Sequence, residues 1–134
     1  MRDKWFHILL YQNGLWMYML KSYKYTYMPG VARGDSVDTV AVDHGTGVAC
    51  LSATTQSTDV CSGNVFVNKI GVVRKGDAMI SHPSAGCPPH APGLSTHSPN
   101  VFANKKQIGR LGDLYTGGHV ISSASGNVFA NHPL

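Results

Sequence analysis

Asn64-Val65-Phe66-Val67-Asn68, followed by Lys69-Ile70-Gly71-Val72-Val73-Arg74-Lys75-Gly76-Asp77, returns later in the chain. The second copy is Asn100-Val101-Phe102-Ala103-Asn104, followed by Lys105-Lys106-Gln107-Ile108-Gly109-Arg110-Leu111-Gly112-Asp113. In both copies the first Asn precedes the last Asp by 13 residues, so the match needs no insertion. The two ends of the chain supply halves of a third copy. Asn127-Val128-Phe129-Ala130-Asn131 lies near the C-terminus. Near the other end, Met28-Pro29-Gly30-Val31-Ala32-Arg33-Gly34-Asp35 reads as the second half, one residue shorter between Arg and Asp. The period is uneven, 36 residues from Asn64 to Asn100 and 27 from there to Asn127. An open solenoid has a free end at each terminus and needs atypical capping units. A unit divided between the termini points instead to a closed body, its first and last strands side by side, with approximate threefold symmetry inside one chain.

Composition agrees with an all-β fold. The 134 residues suit one domain with a modest core. Seven Asp, no Glu and 15 Gly disfavour helices in the repeat region. Short β-branched runs bounded by Gly, Asn, Asp and Pro read as strands. The net charge of +4 is unevenly spread. Residues 1–27 carry Arg2, Lys4, Lys21 and Lys24 against Asp3, or +3, which leaves seven cations against six Asp, or +1, for the rest. A nucleic-acid binder needs a basic face on its folded part, so that class is set aside.

Residues 1–27 differ from everything after them. Their apolar run is broken by Gln12-Asn13-Gly14, holds large aromatics and lacks a small-residue cleavage site, which argues against a signal peptide. It also falls short of the roughly 20 unbroken apolar residues of a helical membrane span. The segment reads as an upstream read-through or a disordered extension, with a partner-binding or membrane-associated helix as the alternative. On either reading it stands outside the fold, which begins at Met28.

Within the repeat region, each full unit reads as a small hairpin, with a turn at Asn68-Lys69 in the first and positive φ at the Gly of its closing Gly-Asp turn. Residues 45–63 read as strands or a hairpin leading into the first full unit. Four prolines and two glycines between Ser81 and Gly93 exclude a central strand or helix there. The tripeptide Arg33-Gly34-Asp35 has the letters of an integrin-binding motif, but falls where the repeat already requires Arg and Gly-Asp. Cys50 and Cys61 read as small buried residues or a facultative pair.

Three histidines recur in register. His44, His82 and His119 follow Asp35, Asp77 and Asp113 by 9, 5 and 6 residues. Around a pseudo-threefold axis these loops sit at one end, where three imidazoles make a metal site. The loop after His82 offers Cys87 and His90 as a fourth ligand. A four-ligand set of nitrogen and sulfur favours Zn²⁺ in a closed structural site. His97 and His132 fall outside the pattern and read as surface residues. A catalytic zinc needs an open position and a nearby base, commonly Glu, and the chain has none. No GxSxG, HExxH, P-loop or GxGxxG is present. The turn aspartates read as caps of backbone N–H groups. An enzyme is not expected.

The units resemble those of the PAAR-repeat proteins. That family takes its name from a Pro-Ala-Ala-Arg motif. Its places here hold Pro29-Gly30-Val31-Ala32-Arg33, Gly71-Val72-Val73-Arg74 and Ile108-Gly109-Arg110, so the literal tetrapeptide is absent. The likeness covers residues 28–134. It implies a small conical, β-helical, prism-like fold with a pseudo-threefold repeat and a metal-pinned apex. It also implies a role: the broad face caps the trimeric β-helical central spike of a contractile injection machine, and the point pierces the target cell envelope. The ligands it implies for a structural zinc, with iron less favoured, are His44, His82, His90 and His119. Cys87 matches a Cys found in many relatives and is an alternative to His82 or His90. With no effector domain after Leu134, a bare tip is expected, on a phage tail baseplate rather than a type VI secretion spike. Neither nucleic acid nor a small-molecule substrate is implied. The runner-up is a stand-alone zinc-stabilised β-solenoid binding module such as an adhesin.

Overall fold

A computed structural model describes residues 3–12, 15–24, 28–42, 54–82 and 88–131, with 3–12, 15–24 and Thr54 described through the backbone alone. The described residues are all-β, with no helix among them and therefore none long and apolar enough to cross a membrane.

The three units share one pattern of backbone pairing. β5 (Phe66–Val67) and β6 (Ile70–Gly71) form one hairpin, and β7 (Phe102–Ala103) and β8 (Lys106–Gln107) the next. Each is closed by two residues at positive φ, Asn68 (52°) with Lys69 (69°) and Asn104 (52°) with Lys105 (64°). That conformation matches the right-handed twist of a tight hairpin, and Asn tolerates it better than most residues. The third hairpin is assembled from the chain ends, with Gly30 bridged to Phe129 as Phe66 is to Gly71 and Phe102 to Gln107. One backbone bond recurs in all three: Val72 N–H to the Val65 carbonyl (3.1 Å), Ile108 to Val101 (3.0 Å) and Val31 to Val128 (2.9 Å).

A second set of bonds closes the body. Val73 N–H donates to the Ala32 carbonyl (3.0 Å), Ala32 to Gly109 (2.9 Å) and Gly109 back to Val73 (2.8 Å). This triangle of main chain takes one corner from each unit, and Ala32 and Val73 are fully buried in it. One core cluster consists of matching residues, Val31, Val72 and Ile108 with Ala103 and Ala130. The other draws on Ala32, Val40, Val42, Val73, Met79, Leu94, Tyr115 and Ile121.

The hairpin tips are laced together. Asn104 Nδ2 donates to Asn64 Oδ1 (2.7 Å), Asn131 to Asn100 (2.8 Å) and Asn68 to Asn127 (2.9 Å). The last Asn of each unit thus binds the first Asn of another, which gives the Asn-x-x-x-Asn spacing its reason. A buried serine starts each unit. Ser62, Ser98 and Ser125 accept from the N–H three residues on, at 3.0, 3.1 and 3.1 Å.

The ion pairs correct the reading of the first half-unit. Arg74 donates to Asp77 through its backbone N–H (3.0 Å) and Nε (2.8 Å), and Arg110 does the same to Asp113 (2.8 and 3.0 Å). In the third unit the acceptor is Asp38, not Asp35: Arg33 reaches it through N–H (2.7 Å), Nε (3.0 Å) and Nη2 (2.8 Å). The Arg33 guanidinium is held still more firmly charged by its hydrogen bond to Asp38. Asp35 is exposed, at φ 50° beside Ser36 at 59°, in a turn that lengthens the loop. The third unit is therefore two residues longer between Arg and Asp, not one shorter. With Arg33 so engaged, the Arg-Gly-Asp letters do not make a free adhesion loop. Gly76 and Gly112 carry the expected positive φ, 83° and 87°.

Four further strands form one antiparallel sheet in the order β4 (Thr54–Ser57), β3 (Thr39–Val42), β10 (His119–Ile121), β9 (Leu114–Tyr115). The hairpin expected within 45–63 thus begins earlier, with β3 as its first strand and residues 43–53 between the strands. The N-terminal stretch corrects a second expectation. In place of a helix or a disordered extension it forms an antiparallel hairpin, β1 (Asp3–Gln12) with β2 (Leu15–Lys24). Asn13-Gly14, the dipeptide that most favours a two-residue hairpin, separates the strands and was the signal for it.

Candidate metal centre

The loop after Asp77 folds back on itself. Ala78 bridges Gly93, the Met79 N–H donates to the Pro92 carbonyl (3.0 Å), and His82 bridges His90 (N–H to carbonyl, 3.1 Å). This narrow ladder places the His82 and His90 rings edge to face, with centroids 4.4 Å apart. His119 arrives from the equivalent loop of the next unit, at the start of β10. Its ring centroid lies 5.5 Å from that of His82 and 5.6 Å from that of His90. One ring nitrogen from each of the three falls within 4.8 Å of the others, an arrangement that can hold a metal ion.

The donor chemistry fits such an ion. His82 Nδ1 lies 3.1 Å from the Ile80 carbonyl, which can only accept, so Nδ1 carries the proton and Nε2 keeps its lone pair. Metal-ligating imidazoles are oriented in this way by a carbonyl behind them. His82 Nε2 then faces His90 Nε2 at 2.9 Å. His82 and His119 are almost wholly buried, 2% and 3% exposed. The His82–His90 contact is one that a single N–H···N hydrogen bond or a bound cation can satisfy, and His90 is the least buried of the three.

Of the residues expected from the sequence, His82, His90 and His119 come together. His44 and Cys87 lie outside the described residues, as do Cys50 and His132. Asp38 nevertheless improves the register of His44. Counted from the aspartates that pair with arginine, the three histidines follow by 6, 5 and 6 residues (38 to 44, 77 to 82, 113 to 119) rather than 9, 5 and 6. His97, expected at the surface, is half-buried, and its carbonyl accepts from Arg110 Nη2 (3.1 Å). Cys61 is a free thiol. Burial and then the neighbouring Asp35 push its pKa up, which disfavours the thiolate.

Away from the histidines, the same threefold pattern leaves three large apolar side chains in solvent. Phe66, Phe102 and Phe129, one per hairpin, are 57%, 55% and 50% exposed. Along each of the two unbroken units the chain runs from this phenylalanine through the main-chain triangle to the Arg–Asp turn and on to a clustered histidine.

No protein-family model matches the chain, and a comparison with curated proteins finds no match.

Proposed function

We propose that this chain is a structural spike tip, a metal-pinned point seated on the end of a trimeric β-helical spike of a contractile injection machine, phage tail before type VI system. The observation that carries the reading is the threefold recurrence of a half-exposed phenylalanine on a closed three-unit body. A single chain whose three faces are alike can meet a true threefold end with all of them at once. Equivalent exposed aromatics suit the anchor positions of such an interface, since buried aromatics contribute strongly to binding. The histidine cluster supports the other half of the reading. A narrow end with little apolar area to bury gains rigidity from a bound ion, and nitrogen donors fit Zn²⁺. His82, His90 and His119 would hold it together with His44, and Cys87 is the alternative to His82 or His90. The role is mechanical, and no catalytic step is assigned.

Two measurements test this. Elemental analysis of the purified chain is expected to give about one zinc per chain, lost in His82→Ala, His90→Ala and His119→Ala. Native mass spectrometry with a trimeric β-helical spike is expected to give one chain per trimer. Phe66→Asp with Phe102→Asp should abolish that complex while leaving the zinc in place. A zinc-bound chain that ignores every trimeric spike would leave the stand-alone binding module as the better reading.

A further inference from the structure

We propose that the β1–β2 hairpin is a lipid-binding element that lies in the headgroup layer of an anionic bilayer. Its strands are ten residues each, and among the described residues they pair only with one another and no strand of the repeat region extends this sheet. A lone two-stranded ribbon is marginal in water and needs a surface to bury against.

The register says which surface. Directly opposed residues share a face. One face carries Leu9 opposite Tyr18 and Tyr11 opposite Trp16, the other Ile8 opposite Met19 and Leu10 opposite Met17. Both faces therefore carry apolar pairs behind the Gln12–Leu15 pair that borders the turn, whereas a hairpin docked on a protein core needs only one such face. From Ile8 to Leu20 there is no Asp, Glu, Lys or Arg. The charges gather at the open end, where Asp3 opposes Lys24, Lys4 opposes Tyr23 and Phe6 opposes Lys21. That end holds three cations against one anion, and Arg2 precedes it in the sequence. An apolar, aromatic end joined to a cationic end matches the layered chemistry of an anionic bilayer surface, where Trp and Tyr sit at headgroup depth and Lys and Arg meet lipid phosphate. The ribbon does not span. Its two outer edges bear backbone groups that only a closed barrel satisfies in hydrocarbon, so it stays where water and headgroups reach them. A second copy paired edge to edge is the less suitable occupant, because edge pairing in either direction leaves both apolar faces of the ribbon uncovered.

This inference is independent of the spike-tip reading, and its test needs no spike. Trp5 and Trp16 are the only two tryptophans, so tryptophan emission from the full chain, excited selectively over tyrosine, reports the hairpin alone. With vesicles of phosphatidylcholine and phosphatidylglycerol at 3:1, the emission is expected to shift to the blue and the protein to pellet with the lipid. Both effects should be weaker with phosphatidylcholine alone and fade with added salt. Lys21→Gln with Lys24→Gln should weaken partitioning by about fivefold per cation, about thirtyfold for the pair. Leu10→Ser with Met17→Ser should remove the blue shift. An unmoved spectrum with anionic vesicles would overturn the proposal. So would equal binding to neutral vesicles, or a blue shift that follows protein concentration without lipid, which would mark a second copy as the occupant.

Discussion

Asp38→Asn and Asp35→Asn form a matched pair of substitutions that should differ sharply in effect. Both remove one negative charge, both keep the size of the side chain, and Asn accepts the positive φ of residue 35 as readily as Asp does. Asp38 is 1% exposed and takes three hydrogen bonds from Arg33, with a fourth from Ser123 Oγ at 3.3 Å. An amide there turns one acceptor into a donor aimed at a guanidinium or a backbone N–H, and removes the charge that compensates Arg33. Leaving a buried backbone N–H unmet costs about 1–3 kcal/mol. Unpairing a buried charge costs about 3–5 kcal/mol, a figure to be reduced here because the Arg33 side chain remains 19% exposed and can take up water. A net loss of about 3 kcal/mol follows, a fall in Tm of roughly 12–20 °C for a body of this size. Asp35 is exposed, and its replacement should stay within about 0.5 kcal/mol. Urea unfolding of the two variants, with midpoint and slope read together, measures the difference. If the two substitutions cost the same, the Arg–Asp pairing does not lock the third unit and the corrected register is wrong.

Further outcomes follow from the same contacts. Tyr115 is fully buried and its hydroxyl has no hydrogen-bond partner among the described residues, so Tyr115→Phe should be neutral or stabilise by up to about 2 kcal/mol in thermal unfolding. Burial, then Asp77, pushes the Tyr115 pKa up. Above the ordinary value of about 10 the unfolded chain therefore loses this proton while the folded chain keeps it, and stability falls as pH rises. Tyr115→Phe should flatten that part of a stability profile taken between pH 9 and 11. Gly76→Ala meets nothing within 4 Å but imposes φ +83° on a residue with a Cβ, a cost of about 1 kcal/mol. Gly71→Ala would set its Cβ 2.1 Å from the Ser62 carbonyl oxygen and should cost more than Gly76→Ala by denaturant unfolding. Ser98→Ala leaves the Val101 N–H without its acceptor inside the fold, for about 1–2 kcal/mol by the same assay.

The repeat made the architecture legible because each repeated letter has a local job. Asn accepts left-handed backbone at a hairpin tip, Gly does so at the closing turn, and Arg with Asp three residues on closes that turn. Such short-range chemistry is written in the order of residues, so the all-β class and the division of one unit between the chain ends could be read directly. The recurrence of histidine after each turn likewise pointed to His82 and His119. Asn13-Gly14 carried a local signal of the same kind, although composition suggested a helix or no structure.

Other features depend on contacts between distant residues. Nothing local distinguishes Asp35 from Asp38 as the partner of Arg33. The choice is made by Ser123, which donates to Asp38, and by Thr58, whose hydroxyl donates 2.6 Å to the Arg33 carbonyl. The convergence of His90 on His82 needs the ladder from Ala78 to Gly93. The main-chain triangle of Ala32, Val73 and Gly109 and the ring of asparagines join residues from all three units. Periodicity reveals that units repeat, whereas the closure of three of them around an axis is a property of long-range hydrogen bonds that only the folded chain can form.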